Sequence, residues 1–377
     1  MADQPSTSDR RILTGVPRVG FCRDMENIDP SLPSENFIFP SCMRALMEYL
    51  GHPEYDYVHF MGVTGAAFFL NWKDGWHGDN KAIYYMVPID EHTKLFEYAF
   101  DSTGYRLEVF SLKGENALDA SEARRRIIES IDRGVPVLSH GIVGPPETSL
   151  IAGYDNSGRS VLGWSFYQYE PPDDREESVA YESNGMFRKR EWLPSAWDLF
   201  IPGKRSTPVD PESVRKRALQ WAVKVARSSR TWGDRHNGLA AYDAWARHLL
   251  RDDQILTSGL MPAGAEAYPF DVHNNAVDVV SEGRLFASKY LARVAGEEVQ
   301  MASELYEASS CCVREYGLMK KVRDCVGGAG RTPEHAGRFV DPQTRREIVA
   351  LIREARNLDE RSINHVENAL RVVEADV

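Results

Sequence analysis

What this chain lacks narrows it before anything it contains. Its 377 residues include five cysteines, Cys22, Cys42, Cys311, Cys312 and Cys325. The number is odd and no pair has CxxC spacing, which argues against a disulfide framework and against a structural zinc site. Cys311 and Cys312 are adjacent and cannot form an ordinary unstrained bridge, so they read as packing. No apolar run approaches the ~20 residues of a membrane span. The first 15 residues are polar and charged, without the apolar stretch of a signal peptide. Basic charge is not in excess: 45 Lys and Arg stand against 56 Asp and Glu, a formal net charge of −11. That balance opposes a general nucleic-acid binder and an anionic membrane surface. Internal repeats and low-complexity tracts are absent too. Together these absences predict a cytoplasmic protein with free thiols, no nucleic-acid partner and no membrane partner.

At 42% hydrophobic and 10% aromatic, the chain has the material for a packed core. Its length suits two domains. Residues 1–15 read as a flexible tail. Residues 16–205 mix short strand patterns with helices, among them a strand over Ala66–Trp72, a helix over Ser121–Arg133, strands near 135–140, 148–154 and 160–164, and a strand over Trp192–Ile201. Gly, Ser, Thr and Pro cluster at 203–211, the expected boundary. Residues 206–377 then turn to helical periodicity, with helices near 212–228, 238–251, 270–295, 298–321 and 342–375. The predicted fold class is α+β for the first part, followed by an all-α domain.

One stretch, Glu35 to Leu46, organises the search for chemistry. Pro40 and Ser41 suit a helix start, the first by its fixed φ and the second as an N-cap. Cys42 then falls on the first turn, beside unpaired N–H groups and the positive end of the helix dipole, both of which favour thiolate. The alternative is a cysteine that is simply buried. Asn36, six residues earlier, is an amide donor or an ordinary turn residue. Glu147 and His140 lie close together in sequence around Gly144-Pro145-Pro146, as a carboxylate and an imidazole able to move protons. Trp72, Trp76 and His77 belong to a turn rich in aromatics and polar groups that suits a substrate rim or a plain anchored turn. Trp164 and Tyr167 suit either a pocket wall or the core. Cys42, His140 and Glu147 are metal-ligand types but lack a ligand-spacing signature; no metal and no cofactor is expected.

Three segments together resemble the papain-like cysteine peptidase superfamily, in the form of the double-glycine leader peptidases and of the butirosin-biosynthesis-type acyltransferase domain. They are the Asn36…Cys42 loop and helix with Tyr49-Leu50-Gly51, the Gly134-Val135-Pro136-Val137-Leu138 strand, and Leu150-Ile151-Ala152-Gly153-Tyr154-Asp155. The resemblance covers roughly residues 16–203. It implies a Cys-bearing helix packed on an antiparallel sheet, with Cys42 as nucleophile and Asn36 in the oxyanion hole. It also implies acyl transfer or amide chemistry in natural-product metabolism. The substrate would be a small molecule, with an acyl carrier protein or another thioester as donor. A homo-oligomer stays open.

The chain departs from that pattern at one decisive place. Six residues before the Gly of Gly-Tyr-Asp, where relatives carry the catalytic His, stands Glu147. Where the orienting Asp or Asn would fall stands Gly163-Trp164-Ser165. Two expectations follow. In one, Glu147 or His140 carries the proton for a cysteine-dependent acyl transfer. In the other, the domain has lost catalysis and binds a small molecule or carrier protein in the old cleft.

Overall fold

The computed structural model describes residues 9–20, 35–80, 93–144, 147–166, 178–206, 210–231, 233–255 and 268–375. Its strands are β1 (Arg11–Ile12), β2 (Asn71–Trp72), β3 (Tyr105–Ser111), β4 (Val137–His140), β5 (Thr148–Asp155), β6 (Ser160–Trp164), β7 (Val179–Tyr181), β8 (Phe187–Arg190), β9 (Asp198–Arg205), β10 (Arg230–Thr231) and β11 (Arg235–Asn237). Its helices are α1 (Ile38–Tyr49), α2 (Tyr57–Val63), α3 (Lys94–Thr103), α4 (Ala120–Asp132), α5 (Pro211–Arg227), α6 (Leu239–Leu249), α7 (Pro269–Glu297), α8 (Ala302–Val326), α9 (Pro333–Val340) and α10 (Pro342–Ala375). The chain is therefore a mixture of helix and antiparallel sheet. Among the described residues no helix is long and apolar enough to cross a membrane.

Two compact units divide the chain: unit 1 is Met1–Phe60 with Ala99–Val209, and unit 2 is Met61–Tyr98 with Asp210–Val377. A single cut at 205/206 would leave 61–98 with the first domain. These residues instead join the C-terminal helices, because their backbone is spent there. Trp72 pairs with His236 in β11, Gly238 N donates to Leu70 O at 2.9 Å, and Arg284 Nη1 donates to Ala67 O at 2.8 Å.

Unit 1 is built on an antiparallel sheet in the order β3-β9-β4-β5-β6-β8-β7, with β1 added alongside β5. The sequence reading puts Arg11 and Ile12 in a flexible tail; they pair instead with Tyr154 and Gly153. Gly153 makes this approach possible, since a Cβ there would lie 2.7 Å from Arg11 O. Pro202 and Gly203, expected to end the strand, lie inside β9. Pro202 is paired with β3 only, on a stretch that β4 does not reach, so its missing N–H breaks no ladder on the second side. Helix α4 begins at Asp119, whose side chain accepts from the N–H groups of Ser121 and Glu122, and it buries Ala123, Ile127 and Ile131. Helix α1 packs against β5.

Unit 2 is mainly helical but not wholly so, since β10, β11 and β2 form a small antiparallel sheet. Ala66–Phe68, expected as strand, is a 3-10 turn, and the paired strand of this stretch is Asn71–Trp72. An unbroken apolar run fits a buried turn as well as a buried strand, and the pattern alone does not separate them. The helix starts follow from local chemistry. Asp210 caps α5 through Ser213 N with Pro211 at the first turn, and Thr332 caps α9 ahead of Pro333. Gly327, at φ 103°, closes α8. Helices α7 and α8 are joined by residues 298–301 and pack together, with α10 laid along α8. The core holds Trp72, Trp76, Trp245, Val277, Met319 and Ile352 among others.

Candidate active site at the end of the unit 1 sheet

Cys42 is not where the sequence places it along the helix. Helix α1 starts at Ile38, with Phe37 as N-cap and no side-chain cap. Ser41 is therefore inside the helix, and Cys42 is in its second turn rather than among the unpaired N–H groups of the first. The hydroxyl expected to cap the helix has another task. Ser41 Oγ donates to Glu35 Oε2 at 2.6 Å and accepts from Gly20 N at 2.8 Å. Arg44 holds the same Glu35 oxygen, from Nη2 at 3.0 Å and Nε at 3.2 Å. Burial pushes the Glu35 carboxyl up, against the pull of Arg44 and Ser41.

The Cys42 side chain is fully buried. Its Sγ donates to Thr148 O at 3.7 Å, a long contact typical of a weak thiol donor. Burial pushes the thiol well above its ordinary range; Arg44 opposes this, and the charges of Glu35 and Glu147 add to it. The expected dipole-stabilised thiolate is thus corrected to a neutral thiol, because the dipole acts only over the first turn and desolvation outweighs it.

Three strand ends come together beside Thr148, whose carbonyl the thiol contacts. His140 closes β4 and is the register partner of Thr148, which opens β5. Glu147 directly precedes Thr148; it is half-buried, with its Oε2 withdrawn from solvent. Gly141 N donates to Glu147 O at 3.0 Å, which extends the hairpin by one pair. On the other side of β4, His140 Nδ1 lies 3.8 Å from Asp198 Oδ2, at the start of β9. The His140 ring also meets Phe200 edge-on at 4.8 Å. Thr148 Oγ1 and Ser149 Oγ are buried without a hydrogen-bond partner in the described structure, and as neighbours on one strand they point to opposite faces of the sheet.

The structure therefore brings Cys42, Glu147 and His140 to one end of one sheet, and adds Asp198. Nothing in the sequence marks Asp198, because its pairing with His140, 58 positions earlier, comes from the β4–β9 register. Asn36 is exposed, while its neighbour Glu35 turns inward to the α1 network. Trp164 is buried and donates from Nε1 to Val16 O at 2.9 Å, with Arg18 stacked over its ring. Tyr167 lies outside the described residues.

Trp72, Trp76 and His77 belong to unit 2. Instead of forming a rim, Trp72 and Trp76 are core, at 0% and 2% exposed. Trp72 stacks on Trp245 with ring centroids 6.1 Å apart. Their turn is fastened by Gly75 N, which donates to His248 Nε2 at 2.8 Å, and His77 folds back on Asp74 O at 3.0 Å. Among the described residues no three His, Cys, Asp or Glu side chains gather closely enough to hold a metal ion.

No family model and no curated protein matches the chain.

Proposed function

We propose that unit 1 is a papain-like domain that carries out cysteine-dependent acyl transfer. The observation that supports this reading is that the Cys42 thiol contacts the carbonyl of Thr148, the chain neighbour of Glu147 and the register partner of His140, whose ring lies 3.8 Å from Asp198. Glu147 takes the sequence position of the relatives' imidazole, and His140 is a second proton acceptor from the neighbouring strand. A neutral thiol fits a general-base step better than a stored ion pair. As sulfur attacks the acyl carbon of a thioester or amide, its proton passes to the Glu147 carboxylate or the His140 imidazole. The C–S bond forms, and the leaving thiol or amine takes up that proton. An acceptor amine or water then attacks the acyl carbon; the C–S bond breaks, and the proton released by the acceptor restores the thiol. Asp198 acts as a positioning residue for the imidazole.

The test is direct acylation. The full-length protein is incubated with S-phenyl thioacetate, digested and mapped by mass. The expected result is an acetyl adduct on Cys42 that Cys42→Ala lacks and Glu147→Gln forms more slowly. Labelling spread over Cys311, Cys312 and Cys325 without preference for Cys42 would overturn the assignment.

A second reading, a domain that binds its ligand without covalent chemistry, is favoured by one observation: Cys42 is wholly buried and its thiol is held protonated. It requires no adduct on Cys42, together with ligand affinity unchanged in Cys42→Ala.

A further inference from the structure

One end of the unit 1 sheet is a long strand whose outer edge has no partner strand among the described residues. β3 is last in the sheet order and pairs with β9. None of its seven residues is buried, whereas seven of the eight in β5 are. Natural sheets blunt such an edge with proline, lysine, a bulge or a very short strand. The other end of the sheet follows that rule, since β7 has three residues. β3 does not. It holds no Pro and no Lys. The irregularity beside it belongs to β9, which takes three steps between Pro202 and Arg205 where β3 takes two between Leu107 and Tyr105. β3 itself is regular.

Pairing with β9 fixes which backbone groups face outward. Leu112 N donates to Trp197 O at 2.7 Å, towards the β9 side. Alternation then turns the backbone groups of Phe110 and Glu108 towards β9, and those of Ser111, Val109 and Leu107 away from it. Two observations agree. Ser111 O accepts from Leu118 N, in the loop before α4, and Leu107 lies opposite Pro202, which has no N–H to offer it. The N–H and C=O groups of Leu107 and Val109 are thus presented to any strand laid alongside.

The side chains decide which strand fits. Tyr105, Leu107 and Val109 share one face, and Arg106 and Glu108 share the other. Val109 is 37% exposed. Arg106 and Glu108 form no ion pair with a described residue. A second β3, run antiparallel about a two-fold axis at Leu107, matches every one of these features. Leu107 meets the partner's Leu107, Tyr105 meets the partner's Val109, and Arg106 meets the partner's Glu108. Leu107 then forms a hydrogen-bonded pair, which uses the outward backbone groups. Arg106 and Glu108 fall on non-hydrogen-bonded pairs, where side chains approach closest. With the axis at Val109 instead, Glu108 would face Phe110, and Leu107 would need the Ser111 carbonyl that Leu118 already holds.

We propose that the chain forms a two-fold dimer with a second copy of itself through β3, which joins the two unit 1 sheets into one antiparallel sheet. The pairing is isologous, so it closes at two copies. Seven residues from each chain make a small interface, and the dimer should dissociate on dilution.

The test is sedimentation velocity of the full-length protein over a dilution series. A monomer–dimer equilibrium is expected. Arg106→Glu and Glu108→Arg, each alone, set like charges opposite one another and should weaken the dimer about tenfold. An equimolar mixture of these two variants restores both opposite-charge pairs, and it should associate as the parent protein does. Leu107→Pro removes an N–H that faces away from β9, so it should abolish the dimer while leaving the thermal unfolding transition in place. Should Leu107→Pro fail to fold, the charge variants and their mixture still decide the matter. A parent protein that stays monomeric throughout the series overturns the proposal. So does a dimer that the two charge reversals leave equally strong, or one that their mixture fails to restore. Growth to species larger than a dimer overturns it too, since it would mark a heterologous contact.

Discussion

Each unit buries polar chemistry, and the two burials differ in kind. In unit 2, Arg284 is fully enclosed and faces Asp359 at 3.0 Å and Glu315 at 3.4 Å. It also donates to Tyr242 Oη at 2.9 Å and to Ala67 O at 2.8 Å, and Tyr242 in turn donates to Glu315. Burial, followed by the charge of Asp359, pushes Glu315 well above the usual carboxylate range. The cluster ties together α6, α7, α8, α10 and the 3-10 turn at Ala66–Phe68. In unit 1 the buried thiol of Cys42 donates to the Thr148 carbonyl, a weak contact. Glu147 is only half-buried. The cluster with more charge is the sealed one. Perturbed titration alone therefore marks the structural tie of unit 2 as strongly as the buried thiol of unit 1, and does not by itself locate chemistry.

This contrast can be broken by substitution. Arg284→Met should cost about 3–5 kcal/mol in denaturant unfolding, since it strands two carboxylates in the core of unit 2. A loss below about 1 kcal/mol would mean that the cluster is not the tie described.

The next largest effect is on pH dependence. His273 is buried and accepts from Trp245 Nε1 at 3.2 Å. Burial holds its pKa at about 3, against 6.5 for the free side chain. A base whose folded pKa is depressed is protonated first in the unfolded chain. Its contribution is therefore full above pH 6.5 and is lost as pH falls from there towards about 3, at a rate of at most about 1.4 kcal/mol per unit. His273→Gln keeps an acceptor for Trp245 without the titration, so its stability should fall less steeply over that window. Parallel curves for the two proteins would refute the assignment.

The smallest stability effect is expected in unit 1. Cys42→Ala removes one sulfur from a packed site and should cost about 1 kcal/mol, yet it abolishes acylation if the proposed chemistry holds. Reactivity sharpens the same point. Iodoacetamide should modify Cys42 more slowly than the half-buried Cys325 in the native protein at neutral pH, because only the thiolate reacts and Cys42 is both shielded and neutral. Faster labelling of Cys42 would show a thiolate that the described geometry does not account for.

Much of the helical architecture was legible from periodicity and end signals. Expected helices near 212–228, 270–295 and 342–375 correspond to α5, α7 and α10, where Asp210-Pro211, Pro269 and Pro342 mark the starts. The strands near 148–154 and 160–164, with the Asp155–Gly158 turn between them, were equally readable from alternation and turn residues. Residues 61–98 were not. Their apolar run gave no sign of which partner would take it, and the partners, β11 and Arg284, lie more than 150 positions away. At the candidate site, the sequence marked Cys42, Glu147 and His140 by type and spacing. It gave the wrong helix register for Cys42, since Pro40 and Ser41 are start residues by preference and a fully buried helix start at Ile38 overrides that preference.

By itself, then, the sequence determined what is written locally: capped helices, turn-bounded strands, a cysteine on a helix, and a carboxylate where the resemblance calls for an imidazole. Tertiary structure alone decided that the thiol is desolvated and neutral and that His140 meets Asp198. Those outcomes depend on strand register and on exclusion of water, and both are set by contacts between residues far apart in the chain.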